Sequence, residues 1–178
     1  EAVLHLGRQA QDAAHGGAHA QALELLAQAR EHAARPAPAQ ASAQRLDLLL
    51  RQARSLFFLG RFAELLEQLV PEQAAIDAAR DPRTAATYYL RLGSTRTYLG
   101  DHAGAVRDAE RTLAEAASCG DQATMGKAHF LLSLERFWDQ PERGVWHGEQ
   151  ALQRLAGSGE SWWTGQACWI LGLNLSYR

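Results

Sequence analysis

Three copies of one four-residue phrase punctuate the chain: Gly17-Ala18-His19-Ala20, Gly60-Arg61-Phe62-Ala63 and Gly100-Asp101-His102-Ala103. Each reads Gly-x-aromatic-Ala, counting His as aromatic, and the copies begin 43 and 40 residues apart. Each follows one stretch of apolar residues at helical spacing and opens another. Recurrence at that interval marks stacked helical hairpins, in which each hairpin buries a face on the next. An array of this kind predicts a long binding surface rather than a catalytic pocket.

The periodicity divides the chain into units at 1–38, 39–80, 81–120 and 121–158, with a partial unit at 159–178. In the first unit, helices are expected over Ala2–Ala14 and Ala18–Ala34, with Leu23, Leu26, Ala27 and Arg30 at helical spacing and Pro36-Ala37-Pro38 as the stop. In the second, Leu46, Leu49, Leu50, Ala53, Phe57 and Phe58 recur at three and four residues, and Leu65, Leu66 and Leu69 carry the return helix. Pro71 is expected to split that helix near Val70, because proline removes a donor and clashes one turn back. The third unit has an N-cap at Asp81, Pro82 at the first helical position, and Cys119-Gly120-Asp121 as its stop and the next cap. In the fourth, Trp138-Asp139 replaces Gly-Asp at the turn, with one residue inserted before Pro141 opens the return helix. Gly157-Ser158-Gly159 breaks it, and a further helix over Glu160–Tyr177 has no hairpin partner within the chain.

Composition narrows the function. An Ala-rich chain with few β-branched residues favours helix. With 18 Lys and Arg against 20 Asp and Glu, the net charge of −2 offers no basic field, so direct nucleic-acid binding is not expected. The stretch from Ser161 to Tyr177 is uncharged but holds Thr164, Gln166, Asn174 and two glycines. With those polar residues it falls short of the ~20 apolar residues of a membrane span and reads as a buried helix. Cys119 and Cys168 carry no local motif, and no signal peptide stands at Glu1, so a reducing cytoplasm is expected. The chain begins without Met and ends at Arg178 in mid-pattern, as expected of a piece of a longer protein.

Leu92-Gly93 precedes Gly100, with Ala105 following; Ala10 precedes Gly17, with Ala22 and Ala29 behind it; Ala53 precedes Gly60. Leu171-Gly172 predicts a turn glycine at the first position beyond Arg178. In these features the chain resembles the tetratricopeptide repeat family over nearly its whole length. Its period of about 40, against 34 in the ordinary member, resembles the long variant in large bacterial transcription regulators and signalling ATPases. The resemblance implies an all-α, right-handed superhelix of stacked antiparallel hairpins, an α-solenoid of about nine helices. It also implies a protein- or peptide-binding scaffold in a larger bacterial regulator, with the ligand on the concave face formed by the first helices. The alternative is a small-molecule effector-sensing domain of such a regulator or ATPase.

Carried over by register, the resemblance places Arg8, Arg51 and Arg91 on the concave face at one position of three successive units. Arg54, Ser94, Tyr98, His129, Arg136 and Trp169 are the further candidates, beside Asp47, Thr87, Ser133 and Tyr177. Guanidinium groups among aromatics suit an acidic peptide or a carboxylate; the competing reading is an ordinary solvated helix face. A closed pocket near Tyr98, His129 and Trp169 would favour a small ligand, and an open groove a peptide. Trp138, Trp146, Trp162, Trp163 and Trp169 cluster in the last third, either as gap fillers between helices or as a contact surface. Trp162 and Trp163 point about 100° apart on a helix, so both cannot face one core. No phosphate loop, nucleophile elbow or metal-binding spacing is present, so neither catalysis nor a metal nor a cofactor is expected. The last helix, with Trp169, Ile170, Leu171 and Leu173, is expected to expose an apolar face for the next repeat or for self-association.

Overall fold

The computed structural model describes residues 2–33 and 38–177; nothing is described for the side chains of residues 33 and 38–43. The stop expected at Pro36-Ala37 and the turn glycine expected beyond Arg178 lie outside the described residues. The chain is all-helical, with no strand among the described residues. The helices are α1 (Ala2–His15), α2 (His19–Ala33), α3 (Pro38–Phe58), α4 (Phe62–Leu69), α5 (Gln73–Ala79), α6 (Pro82–Leu99), α7 (His102–Ser118), α8 (Gln122–Glu135), α9 (Pro141–Leu155) and α10 (Ser161–Ser176). A single 3-10 turn over Val70–Glu72 carries Pro71 and splits the second return helix into α4 and α5. The helices group into two compact units, Glu1–Pro71 and Glu72–Arg178.

The phrase is turn and cap chemistry. Gly17, Gly60 and Gly100 take φ of 80°, 70° and 79°, the left-handed region that a residue without Cβ enters freely. The backbone then reverses at once into the next helix. Asp101 and Asp121 cap α7 and α8 by accepting from the Gly104 and Thr124 amides at 2.9 and 3.0 Å. At Asp81 the carboxylate accepts from the Thr84 hydroxyl and the Arg83 amide; the Thr84 bond, above all, holds its pKa below the ordinary value. Trp138 is not among the left-handed residues. A side chain at that position resists positive φ, and the fourth turn reverses with an additional residue instead.

Within each unit, every helix packs on its neighbours in sequence. First helices of successive hairpins also touch: α1 with α3, α6 with α8, and α8 with α10. In the first unit the buried stripe of α2 is Ala22, Leu26 and Ala29, packed with Ala10, Ala14 and Leu48. Leu26 is buried as its spacing suggests and Ala22 and Ala29 as the repeat pattern implies, whereas Leu23 is only half-buried and Ala27 and Arg30 are exposed. Small residues decide this, because alanines let paired helices approach closely.

The second unit is built around Tyr88, Leu92, Phe130, Leu131, Trp163 and Ile170. Gly93 sits where α7 comes closest; a Cβ there would lie 3.1 Å from the Asp108 Cβ. The short α5 is held by buried Ile76 and by Asp77, which accepts from the Tyr89 hydroxyl at 2.7 Å. Burial, together with that carboxylate, pushes the Tyr89 phenol up to about 12. Helix α10 buries Trp163, Ala167, Ile170 and Asn174 against α8 and α9. Ile170 is therefore core, and the exposed apolar side chains are Trp162, Trp169, Leu175 and Tyr177. Trp162 and Trp163 do divide between surface and core, at 41% and 8% exposure. No described helix is long and apolar enough to cross a membrane.

Candidate functional site

In the first unit the first helices of two hairpins bring Arg8 and Arg51 to one open cavity of about 230 Å³. Val3, Leu4 and Gly7 of α1 and Leu48 of α3 give it an apolar side; Gln11, Gln44 and Asp47 give it a polar one. Arg51 is fixed in place, donating to Asp47 and to Gln11 at 2.8 Å each. Arg8 is exposed at the same opening. Arg54 is half-buried, and its charge, after burial, lowers the pKa of His19.

Arg91 is half-buried in the second unit. Ser94 is buried and donates to the Leu90 carbonyl at 2.7 Å, so its hydroxyl serves its own helix and not a groove. Ser133 likewise is buried and donates to the Gly144 carbonyl. Tyr98 and Trp169 are exposed, whereas His129 is buried. None of these three lines the cavity of about 510 Å³ in this unit.

That larger cavity opens where α7 begins and α8 ends. Its floor is Ala103, Val106 and Leu134. One wall is a hydrogen-bonded set around Glu135, whose side chain is 1% exposed. The Glu135 carboxylate accepts from the Thr97 hydroxyl at 2.6 Å and from His102 Nδ1 at 2.8 Å. The other wall is Arg136, ion-paired with Asp139 at 3.6 Å. Trp138 stands at the rim, 82% exposed. Among the sequence candidates only Arg136 lies here. His102 reads from sequence as turn chemistry, and no spacing singles out Thr97 or Glu135. The break in the phrase at Trp138 is the signal that marks the place.

The tryptophans are mostly surface. Trp138, Trp146, Trp162 and Trp169 are exposed, and Trp163 alone of the five fills a gap between helices. Its ring meets Phe130 edge-on, with the Lys127 ammonium 5.7 Å from its centroid. Of the two readings the sequence left open, gap filling holds for Trp163, and the other four are exposed.

His129 and His147 form a pair across α8 and α9, with Nδ1 atoms 3.0 Å apart and Trp146 edge-on to both. One Nδ1 donates and the other accepts. Burial above all, then the neighbouring His147 and Arg154 for His129 and Arg136 and Arg143 for His147, lowers both to about 4. Unfolded imidazoles bind protons below 6.5, whereas the folded ones wait until about 4, so folding loses stability as pH falls through that window. Asp108, raised to about 6, works in the opposite sense, but one carboxyl opposes two imidazoles. Urea unfolding at pH 4.5 is expected to give a stability about 2 kcal/mol below that at pH 7, solvent access to His147 trimming the full effect. His147→Gln is expected to remove most of that slope, because Asp108 then nearly offsets the one imidazole left.

Among the described residues no group of three His, Cys, Asp or Glu side chains is placed to hold a metal ion, and both cysteines are free thiols. Comparison with protein-family models and with curated proteins gives no match for the chain.

Proposed function

We propose that the chain is a protein- or peptide-binding scaffold of the tetratricopeptide type, a module of a larger bacterial regulatory protein acting in the cytoplasm. Its ligand lies along the first helices of the hairpins. The observation that carries this reading is the cavity of the first unit, where Arg8 of α1 and Arg51 of α3 meet across 43 residues of sequence. The two guanidinium groups line one opening, and the Asp47 and Gln11 contacts hold Arg51 in advance of binding. Preorganised arginine is suited to a carboxylate, which it binds in a bidentate way. An acidic peptide segment is the matching ligand.

The test is fluorescence anisotropy with labelled acidic peptides. Arg8→Glu combined with Arg51→Glu is expected to weaken binding by at least about tenfold, and wild-type affinity is expected to fall as salt is raised. Equal affinity of the wild type and the double variant would remove the arginine cavity from the proposal.

A further inference from the structure

The fourth turn is where the repeat departs from itself. At the first turn, His19 of the phrase stacks on Phe58, with ring centroids 4.8 Å apart and planes within 10°. Phe58 stands two places before the turn glycine Gly60. The stack closes the space between the start of one hairpin's second helix and the end of the next hairpin's first helix. At the fourth turn Trp138 replaces the glycine, so Arg136 occupies the place of Phe58. Arg136 pairs with Asp139 instead of stacking on His102, the counterpart of His19. The space that His19 and Phe58 close is here the open cavity of about 510 Å³.

The chemistry of that cavity selects its occupant. The floor is apolar, formed by Ala103, Val106 and Leu134. The charged and polar groups of the walls already satisfy one another, His102 with Glu135 and Arg136 with Asp139. An incoming charge must therefore compete with a partner already in place, while an apolar group gains by displacing water from the floor. An exposed tryptophan at the rim adds a large, stiff contact of the kind that dominates protein interfaces. We infer that this cleft is an anchor site for one large apolar side chain, aromatic or leucine-like, carried by a partner peptide and clamped by the Trp138 indole. The inference rests on the reading of the chain as a peptide-binding module but not on the arginine cavity.

The experiment is selection from a phage-displayed library of random peptides on the intact chain, followed by affinity measurement on variants. Peptides sharing one large apolar residue are expected. Their binding is expected to weaken by about tenfold or more when that residue is cut to alanine, in Trp138→Ala, and in Arg136→Phe, which restores the closing residue. Trp138 is 82% exposed, so its replacement leaves the fold intact. The Trp138 indole N–H signal in NMR is expected to shift on binding. Peptides that bind but ignore both variants, or leave that signal unmoved, overturn the anchor site and leave the peptide-binding reading standing. A library that yields no binder overturns both.

Discussion

Arg96→Met is expected to destabilise the second unit by about 3–5 kcal/mol at pH 8, because it strips the counter-charge from a buried carboxylate. Asp108 is 5% exposed on α7, and Arg96 of α6 donates to it at 2.7 Å. Burial raises Asp108 to about 6 even with that guanidinium in place. Without Arg96 the carboxyl stays protonated to higher pH still. The sign follows: the folded form then keeps a proton that the unfolded form sheds near the ordinary value of 3.8. The penalty therefore grows as pH rises and shrinks at pH 5. Urea unfolding at the two pH values checks this. The double variant Arg96→Met, Asp108→Leu is expected to recover most of the loss, since an apolar pair needs no counter-charge. A penalty independent of pH would place the effect in packing and not in charge.

The second large effect is steric. Gly144 of α9 lies against the side-chain amide of Asn174, and a methyl on Gly144 would overlap its Oδ1. Asn174 is fully buried and donates to the Ile170 carbonyl at 3.0 Å and to Ser133 at 3.3 Å. Ser133 in turn donates to the Gly144 carbonyl at 2.7 Å. This small network joins α8, α9 and α10, so the amide cannot swing aside without orphaning buried polar atoms. Gly144→Ala is expected to cost about 3 kcal/mol, as overpacking and a broken network act together. Hydrogen exchange should show α10 losing protection before α6 and α7. Adding Asn174→Ala should cost less than its effect alone, because the clash is removed with it. Strict additivity of the two substitutions would argue against a direct overlap.

Much of the architecture is local and so was legible in the residues. Turn glycines, aspartate caps, Pro82 and Pro141 at helix starts and Pro71 in the second return helix each act within a few residues of chain, and the boundaries fall where these residues place them. The buried stripe of α2 was less legible. Leu23 and Ala27 fit the helical period as well as Ala22 and Ala29, and only the closeness of the neighbouring helix separates them. The terminal helix shows the same limit. It is apolar on all sides, so periodicity could not say that Ile170 faces inward while Trp162, Trp169 and Leu175 face out.

The candidate sites divide in the same way. Repeat register alone put Arg8 and Arg51 at one position of successive units, and they do meet in one cavity. Register could not tell that Ser94 would spend its hydroxyl on its own helix, or that His129 would pair with His147, since those bonds depend on which side chain is buried. Sequence by itself determined the helices, their turns and the break at Trp138, because each follows from backbone preferences over a few residues. Only the tertiary structure decided that the break leaves a cleft, with Glu135 buried between Thr97 and His102 and Trp138 exposed at the rim. A cavity is the space between elements distant in sequence, and its shape depends on how those elements pack rather than on the preferences of any one of them.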